Sequence, residues 1–477
     1  MAAKLETQVH LLDGPLLPLL PPKPLGRALP PLPARPRHAR DEIHPGWHRD
    51  TLVLPAAFPR SFPNSTRRNG QDSQDPTVPR DGQARADVQK ATEFVVKSQV
   101  EGFARPLKLT ANAEEIDGQE QLVVVGNRYR PKKPRDANAP TGLTLVLSHA
   151  NGFYKEVWEP LLSVVLAQIE QRGLSLPIDE IWALDCIIQG DSAVLNDGVL
   201  GSVFNWADHG RDLVNTIAYY LDSPDLENSV VQPGQAASAL PSRSTLAAPE
   251  LARLDNDGPT LSERRAASKR LVVGIGHSLG GGATAYAATA CPSLFSSVIF
   301  LDPVIVPANP NPPRTMVTMT TAALKRRATW KTRQEAKESL GQKAMFRAWA
   351  PEVLDGYIDH GLHETDDGQV TLKTKPYYEA LTFMDPLASA SRRACVRLET
   401  LPKSLPAHFI FADEGRSVLS EEWIDHILNR TIPQATFARV KDAGHLIVHE
   451  KPVETAELIV AFLEKANPRS AARSAKL

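Results

Sequence analysis

From about residue 90 onward the chain alternates short apolar runs with amphipathic stretches, the pattern of strands and helices in a mostly parallel α/β sheet. The runs predict eight strands, at 93–97, 121–125, 143–148, 181–185, 271–276, 298–301, 407–411 and 436–440. Between them a 3.6-residue period predicts helices at about 155–171, 207–221, 280–290, 420–429 and 452–465. The span 304–400 reads mostly as helix, with 322–327, 333–340 and 351–360 the clearest stretches, and is expected to form a helical cap after the sixth strand. Residues 1–88 break the pattern. They hold 15 of the 40 prolines and show no sustained period, so they are expected to be a disordered, proline-rich extension. A polar stretch at 223–269 reads as a surface insertion ahead of the fifth strand. The expected division is therefore an extension over 1–88, a first part of the core over 89–303, the cap over 304–400, a second part of the core over 401–467 and a tail over 468–477.

Chemistry concentrates at Gly276-His277-Ser278-Leu279-Gly280. This stretch follows the apolar Leu271-Val272-Val273-Gly274-Ile275 and precedes small, helix-compatible residues, which is the context of a nucleophile elbow with Ser278 as nucleophile. A serine hydroxyl needs a base, and Asp442-Ala443-Gly444-His445-Leu446 offers His445 directly after the last strand, with Gly444 permitting the turn. His449 is a rival four residues on, but its neighbours Glu450-Lys451-Pro452 read as a solvated helix start. Metal binding by His445 and His449 lacks convincing further ligands, so no metal is expected. The oxyanion should be met by the backbone N–H of Leu279 and by that of Asn151, in the loop Ser148-His149-Ala150-Asn151-Gly152-Phe153. The Asn151 amide is also in range of a substrate, while His149 is read as shaping the turn. Two carboxylates compete to orient His445. Asp302 ends the sixth strand, and Asp413 follows the seventh. Resemblance to the α/β-hydrolase arrangement implies that an acid in the second place stands three or four residues past Ala412, where the chain has Gly415 and Arg416, and that cap-bearing relatives carry theirs at the end of the sixth strand, so Asp302 is preferred and Asp413 is the alternative.

Composition removes several classes. Across 477 residues the formal net charge is −1, which gives no argument for nucleic acid or an anionic membrane surface. Cys186, Cys291 and Cys395 are odd in number and widely spaced, fitting a compartment indifferent to disulfides. No apolar run reaches the ~18 residues of a membrane helix, and the start lacks the order of a signal peptide. The final Ala475-Lys476-Leu477 is a close variant of the Ser-Lys-Leu address, so the peroxisomal import receptor is an expected partner and the peroxisome the expected location. In the cap, Phe346, Trp349, Tyr357, Tyr377, Tyr378 and Phe383 form a supply of aromatic surface suited to an apolar acyl compound, most of it expected to be cap core. The basic run Lys325-Arg326-Arg327 reads as a solvated helix face, with contact to a coenzyme A phosphate as the alternative.

Eight strands with G-x-S-x-G after the fifth follow the order of the α/β-hydrolase fold. Together with the elbow, His149-Ala150-Asn151-Gly152-Phe153, Glu156-Val157-Trp158-Glu159-Pro160-Leu161, Asp185-Cys186-Ile187-Ile188-Gln189-Gly190-Asp191-Ser192 and Asn205-Trp206-Ala207-Asp208-His209-Gly210-Arg211-Asp212 resemble the fungal peroxisomal α/β-hydrolases of AK-type and AF-type host-selective toxin clusters. They are also similar to the yeast peroxisomal lipase. The likeness covers about 90–465. It implies a serine hydrolase without cofactor, cleaving an ester or thioester of an apolar acyl compound through an acyl-enzyme on Ser278. A carbon–carbon bond hydrolase on the same residues, and a non-catalytic binding protein that keeps the elbow as architecture, are the other readings.

Overall fold

The computed structural model describes residues 16–36, 42–67, 85–107, 116–136, 139–235, 268, 270–307 and 313–466. Eleven strands are present among them: β1 (Trp47–Pro55), β2 (Val123–Pro131), β3 (Leu143–Ser148), β4 (Ile178–Leu184), β5 (Leu271–His277), β6 (Ser297–Leu301), β7 (Thr329–Trp330), β8 (Leu362–Glu364), β9 (Val370–Leu372), β10 (Ala407–Phe411) and β11 (Thr436–Arg439). Eight form one sheet in the order β1-β2-β4-β3-β5-β6-β10-β11. It is parallel from β4 to β11, whereas β2 runs antiparallel to both β1 and β4.

The central strands β3, β5 and β6 are mostly apolar and buried along almost their whole length because both faces are covered. Helices Glu159–Gln171 and Pro452–Ala466 pack on one side through Leu161, Leu162, Val165, Ile459, Val460 and Leu463. Helices Trp206–Tyr219 and Leu279–Ala290 pack on the other. Gly210 is required at their crossing, since a Cβ there would lie 2.5 Å from that of Tyr286.

Two expectations are corrected here. Residues 93–97 are not a strand but the middle of helix Arg85–Phe103, whose buried Val88, Ala91, Thr92, Val95, Gln99 and Phe103 recur at helical spacing. A five-residue window cannot reveal that period. The eighth strand is instead β1, inside the supposed extension over 1–88. It pairs with β2 over nine residues, from Trp47 opposite Pro131 to Pro55 opposite Val123, and Leu52, Val53 and Leu54 are completely buried. Upstream, Leu16 and Leu19 join the same core cluster as Leu52 and Leu54. Pro15 and residues 68–84 lie outside the described residues.

A proline has a carbonyl but no N–H, so a proline-rich segment is best anchored by donors from elsewhere. Helix Trp206–Tyr219 supplies them. Arg211 donates to the carbonyls of Leu17 (2.8 Å), Pro18 (2.7 Å) and Pro59 (2.6 Å), and Asn215 to that of Pro55 (2.9 Å). Arg60 enters the same network through both carboxylate oxygens of Asp212, at 2.6 and 3.2 Å. Of the polar insertion, 223–235 follows this segment, with Val231 N–H on Thr51 O at 2.8 Å, and 236–267 lie outside the described residues.

The span after β6 folds as helices Pro313–Leu324, Arg333–Gly341, Ala344–Arg347, Pro351–His360, Pro376–Phe383 and Ser389–Leu398. It also contains a small antiparallel sheet, β7-β9-β8, which the mostly helical expectation did not include. Among the described residues no helix is long and apolar enough to cross a membrane.

Candidate active site

β5 delivers the chain to Ser278, whose backbone sits at φ 55° and ψ −116° before helix Leu279–Ala290 begins. Holding a serine there costs on the order of 1–3 kcal/mol and needs support on both sides. The Ser278 N–H donates to Leu301 O at 3.0 Å, and its carbonyl accepts from Val304 N–H at 3.1 Å. Glycine two positions before and after is enforced by backbone contact. A Cβ on Gly276 would stand 2.2 Å from Gly280 O, and one on Gly280 2.0 Å from Ser148 O.

The loop after β11 carries His445 to this serine. Its Nε2 lies 2.9 Å from Ser278 Oγ and its Nδ1 2.6 Å from Asp302 Oδ2. With the Nδ1 proton given to the carboxylate, Nε2 is free to accept from the serine hydroxyl. The His277 ring nitrogen Nε2 donates to His445 O at 3.0 Å, fixing the loop from below. Asp302 is completely buried at the end of β6, with φ 35°, and accepts from Ala412 N–H (2.9 Å) and Val418 N–H (3.2 Å). Burial alone would push its pKa up, but the His445 hydrogen bond and charge and the surrounding donors outweigh it and hold the carboxyl below its ordinary range.

Asp413 is not part of this chain of contacts. It is half-buried and turned to the backbone, its two oxygens accepting from Glu414 N–H and Asp442 N–H at 2.9 Å each. The structure thus brings Ser278, His445 and Asp302 together and leaves Asp413 shaping the turn beside them. His449 does not approach Ser278. It is fully buried against Phe153 (centroids 4.1 Å apart) and Trp349 (4.7 Å), neither ring nitrogen has a hydrogen-bond partner among the described residues, and burial holds it well below its usual pKa. His149 is buried too. It bonds Ala150 O at 2.8 Å and accepts from Cys186 N–H at 3.3 Å, with its pKa lowered by burial to about 4.

Leu279 is the first residue of its helix, so its N–H has no intrahelical acceptor and lies at the positive end of the dipole. Asn151 lines the same cavity, but its amide is engaged on both sides: Oδ1 accepts from Gln189 Nε2 at 2.5 Å and Nδ2 donates to Glu379 O at 3.3 Å. Behind this loop lies a buried charge cluster that sequence reasoning missed. Lys155 Nζ contacts Asp191 (2.5 Å), Glu156 (3.0 Å) and Asp185 (3.3 Å). Burial opposes its charge, yet these carboxylates together keep its pKa raised. The signal was present in the acidic residues of Asp185-Cys186-Ile187-Ile188-Gln189-Gly190-Asp191-Ser192.

Ser278, His445, Leu279 and Asn151 open onto a cavity of about 370 Å³ that the cap lines in part. Of the six cap aromatics, most of them expected to be cap core, Phe383 lines the cavity, while Phe346, Trp349, Tyr357, Tyr377 and Tyr378 are buried. Met316, Met319 and Met345 take their place. The basic run is split: Arg326 faces the cavity, whereas Arg327 pairs with Glu335 and Lys325 is exposed. A larger cleft of about 640 Å³ lies at the opposite end of β3 and β4, remote from Ser278. Among the described residues no group of three His, Cys, Asp or Glu side chains is arranged to hold a metal ion.

Comparison with known proteins agrees with the geometry. Residues 145–458 match the model of the alpha/beta hydrolase family. Abhydrolase domain-containing protein ACTT2 of Alternaria alternata is 28% identical over 223 residues, covering 41% of this chain and 83% of that protein. Type I acyl-CoA thioesterase mpaH of Penicillium brevicompactum is 25% identical over 253 residues, 51% of this chain and 45% of that protein. Among solved structures, the peroxisomal alpha-beta-hydrolase Lpx1 of Saccharomyces cerevisiae shares the fold, with a TM-score of 0.60 at 19% identity over 89% of this chain and 90% of the other.

Proposed function

Since the chain belongs to the alpha/beta hydrolase family, we propose that it is a serine hydrolase cleaving an ester or thioester of an apolar acyl compound. The observation that carries this reading is the unbroken chain Ser278 Oγ, His445, Asp302, at 2.9 and 2.6 Å. In it His445 Nε2 takes the Ser278 proton as Oγ attacks the acyl carbon, and Asp302 stabilises the resulting imidazolium. The oxyanion is met by the N–H groups of Leu279 and Asn151. His445 then protonates the departing alcohol or thiol, and water, activated by the same ring, releases the acid and restores Ser278. Asp302 as the acid is supported by its burial and its contact with Nδ1. The apolar lining favours an acyl chain or ring, and a thioester is included because one relative is named an acyl-CoA thioesterase.

Labelling with a fluorophosphonate probe tests this directly. A band from the native protein that disappears in Ser278→Ala is expected, and an unlabelled native protein overturns the reading. Peroxisomal location is part of the proposal, supported by Ala475-Lys476-Leu477, which lies outside the described residues, and by a relative named as peroxisomal. A fluorescent fusion ending in those three residues should coincide with a peroxisomal marker, and loss of Leu477 should leave it cytosolic.

A further inference from the structure

The cavity wall supplied by the cap is mostly apolar; Asp385 and Ser391 also line it, with the Asp385 carboxylate taken up by the Ala390 and Ser391 N–H groups, and its one ion pair is that of Arg326, just past the end of helix Pro313–Leu324, with Glu379 on helix Pro376–Phe383. A charged pair is costly in an apolar cavity unless its remaining donors find use. Arg326 Nη1 donates to Glu379 Oε2, and Nη2 donates to Tyr357 Oη at 2.9 Å. These contacts use two of the five N–H donors of a guanidinium. The side chain keeps 20% of its surface accessible, on a residue that lines the cavity. The pair also sits beside the oxyanion loop. The Glu379 carboxyl carbon is 3.1 Å from where a Cβ on Gly152 would be, and Glu379 O receives the Asn151 amide.

We propose that Arg326 forms a polar subsite in this cavity that binds an uncharged oxygen acceptor, an oxo or hydroxy group, on an otherwise apolar acyl substrate. The neutrality follows from the pairing. Glu379 already balances the guanidinium, so a second carboxylate would meet a like charge in a poorly hydrated space, while a carbonyl or hydroxyl oxygen gains the charged donor without that repulsion. An acyl chain without such an oxygen leaves the exposed donors desolvated and unpaired, and that penalty is the basis of selection. The inference deepens the hydrolase reading and rests on it for the substrate class, but the subsite is testable without catalysis.

The test is binding of non-cleavable medium-chain amides, measured in pairs that differ by an oxo or hydroxy group at successive chain positions, to the full chain carrying Ser278→Ala. For at least one position the oxygenated amide should bind on the order of tenfold tighter than its alkyl partner, as a charged-donor hydrogen bond predicts. In Arg326→Met with Glu379→Leu, which removes the pair together and leaves no lone buried charge, the preference should vanish while alkyl binding holds or improves. Arg326→Lys retains the charge balance but loses the planar fork, so it should fold and show a reduced preference. Equal binding within every pair by the protein with Arg326 intact overturns the subsite, as does a preference that survives in the double variant. Failure of fluorophosphonate labelling overturns the hydrolase reading instead.

Discussion

On the core side of the cavity each group of the proposed triad is held by hydrogen bonds to or from backbone, Ser278 through Leu301 and Val304, His445 through the His277 ring, Asp302 through Ala412 and Val418, whereas the cap side offers unbranched methionines and one ion pair. Met319 and Met345 are among the few large apolar side chains that remain more than two-fifths exposed. Methionine is flexible and polarizable, so it fits differing ligand shapes at little cost in packing. On the proposed function the contrast teaches a division of labour: chemistry demands one geometry, held to fractions of an ångström, while selection of the acyl group tolerates adjustment.

That contrast is broken most severely at the nucleophile. Ser278→Ala should lower hydrolysis by about 10⁴–10⁶-fold with the melting temperature nearly unchanged, and adding His445→Ala should cost little more, because the two act as a unit. Near-native activity in the single variant would transfer the chemistry elsewhere. Next in size is the acid. Asp302→Asn should reduce kcat by up to ~10⁴-fold by leaving the wrong imidazole tautomer, and Asp413→Asn should stay within about threefold, as expected of a turn residue whose carboxylate meets only backbone N–H groups. The reverse order in steady-state kinetics would assign the acid to Asp413.

Acid should then loosen the core side first. His149, His209 and His277 are buried and held by burial at about 4, 3 and 3, and His449 lies well below its ordinary value. Unfolded, each titrates near 6.5, so below that pH the unfolded chain binds protons that the folded chain refuses. Stability contributed by neutral rings is complete above about pH 6.5 and declines as pH falls toward the folded values, by up to ~1.4 kcal/mol per unit for each group. Melting temperatures should therefore drop between pH 7 and 5, and His449→Leu should flatten that slope because its ring has no hydrogen bond to lose. Parallel slopes in the two proteins would count against this origin. The smallest effect belongs to the cap. Met319→Leu should change kcat/KM by no more than about threefold while narrowing the range of acyl lengths accepted, since volume is conserved and flexibility is lost.

What was readable in the sequence was local. The elbow needs Gly276 and Gly280 within five residues, and Asp302 and His445 each end a strand pattern, so turn chemistry alone located them. The assembly of the three into one hydrogen-bonded chain was inferred from strand order rather than seen. What was not readable depends on distant partners. Lys155 becomes a buried cation only because Asp185 and Asp191 arrive from another strand end, and Arg326 leaves a basic run to meet Glu379 because the cap folds it inward. The N-terminal segment was misread for the same reason. Its prolines erase local periodicity, while its anchoring resides in Arg211, Asp212 and Asn215.

The bond from Arg211 to Leu17 spans 194 residues of sequence. During synthesis at about 5–20 residues per second, Leu17 emerges roughly 10–40 s before the guanidinium that will hold it. Through that interval Leu16 and Leu19 lack the part of their core that helix Trp206–Tyr219 and later elements supply. Pro18 between these leucines, and Pro21 and Pro22 just after them, deny the segment the run of N–H donors that pairing with a neighbouring nascent chain requires. A composition that looks like disorder thus also guards a sticky segment made well ahead of its docking site.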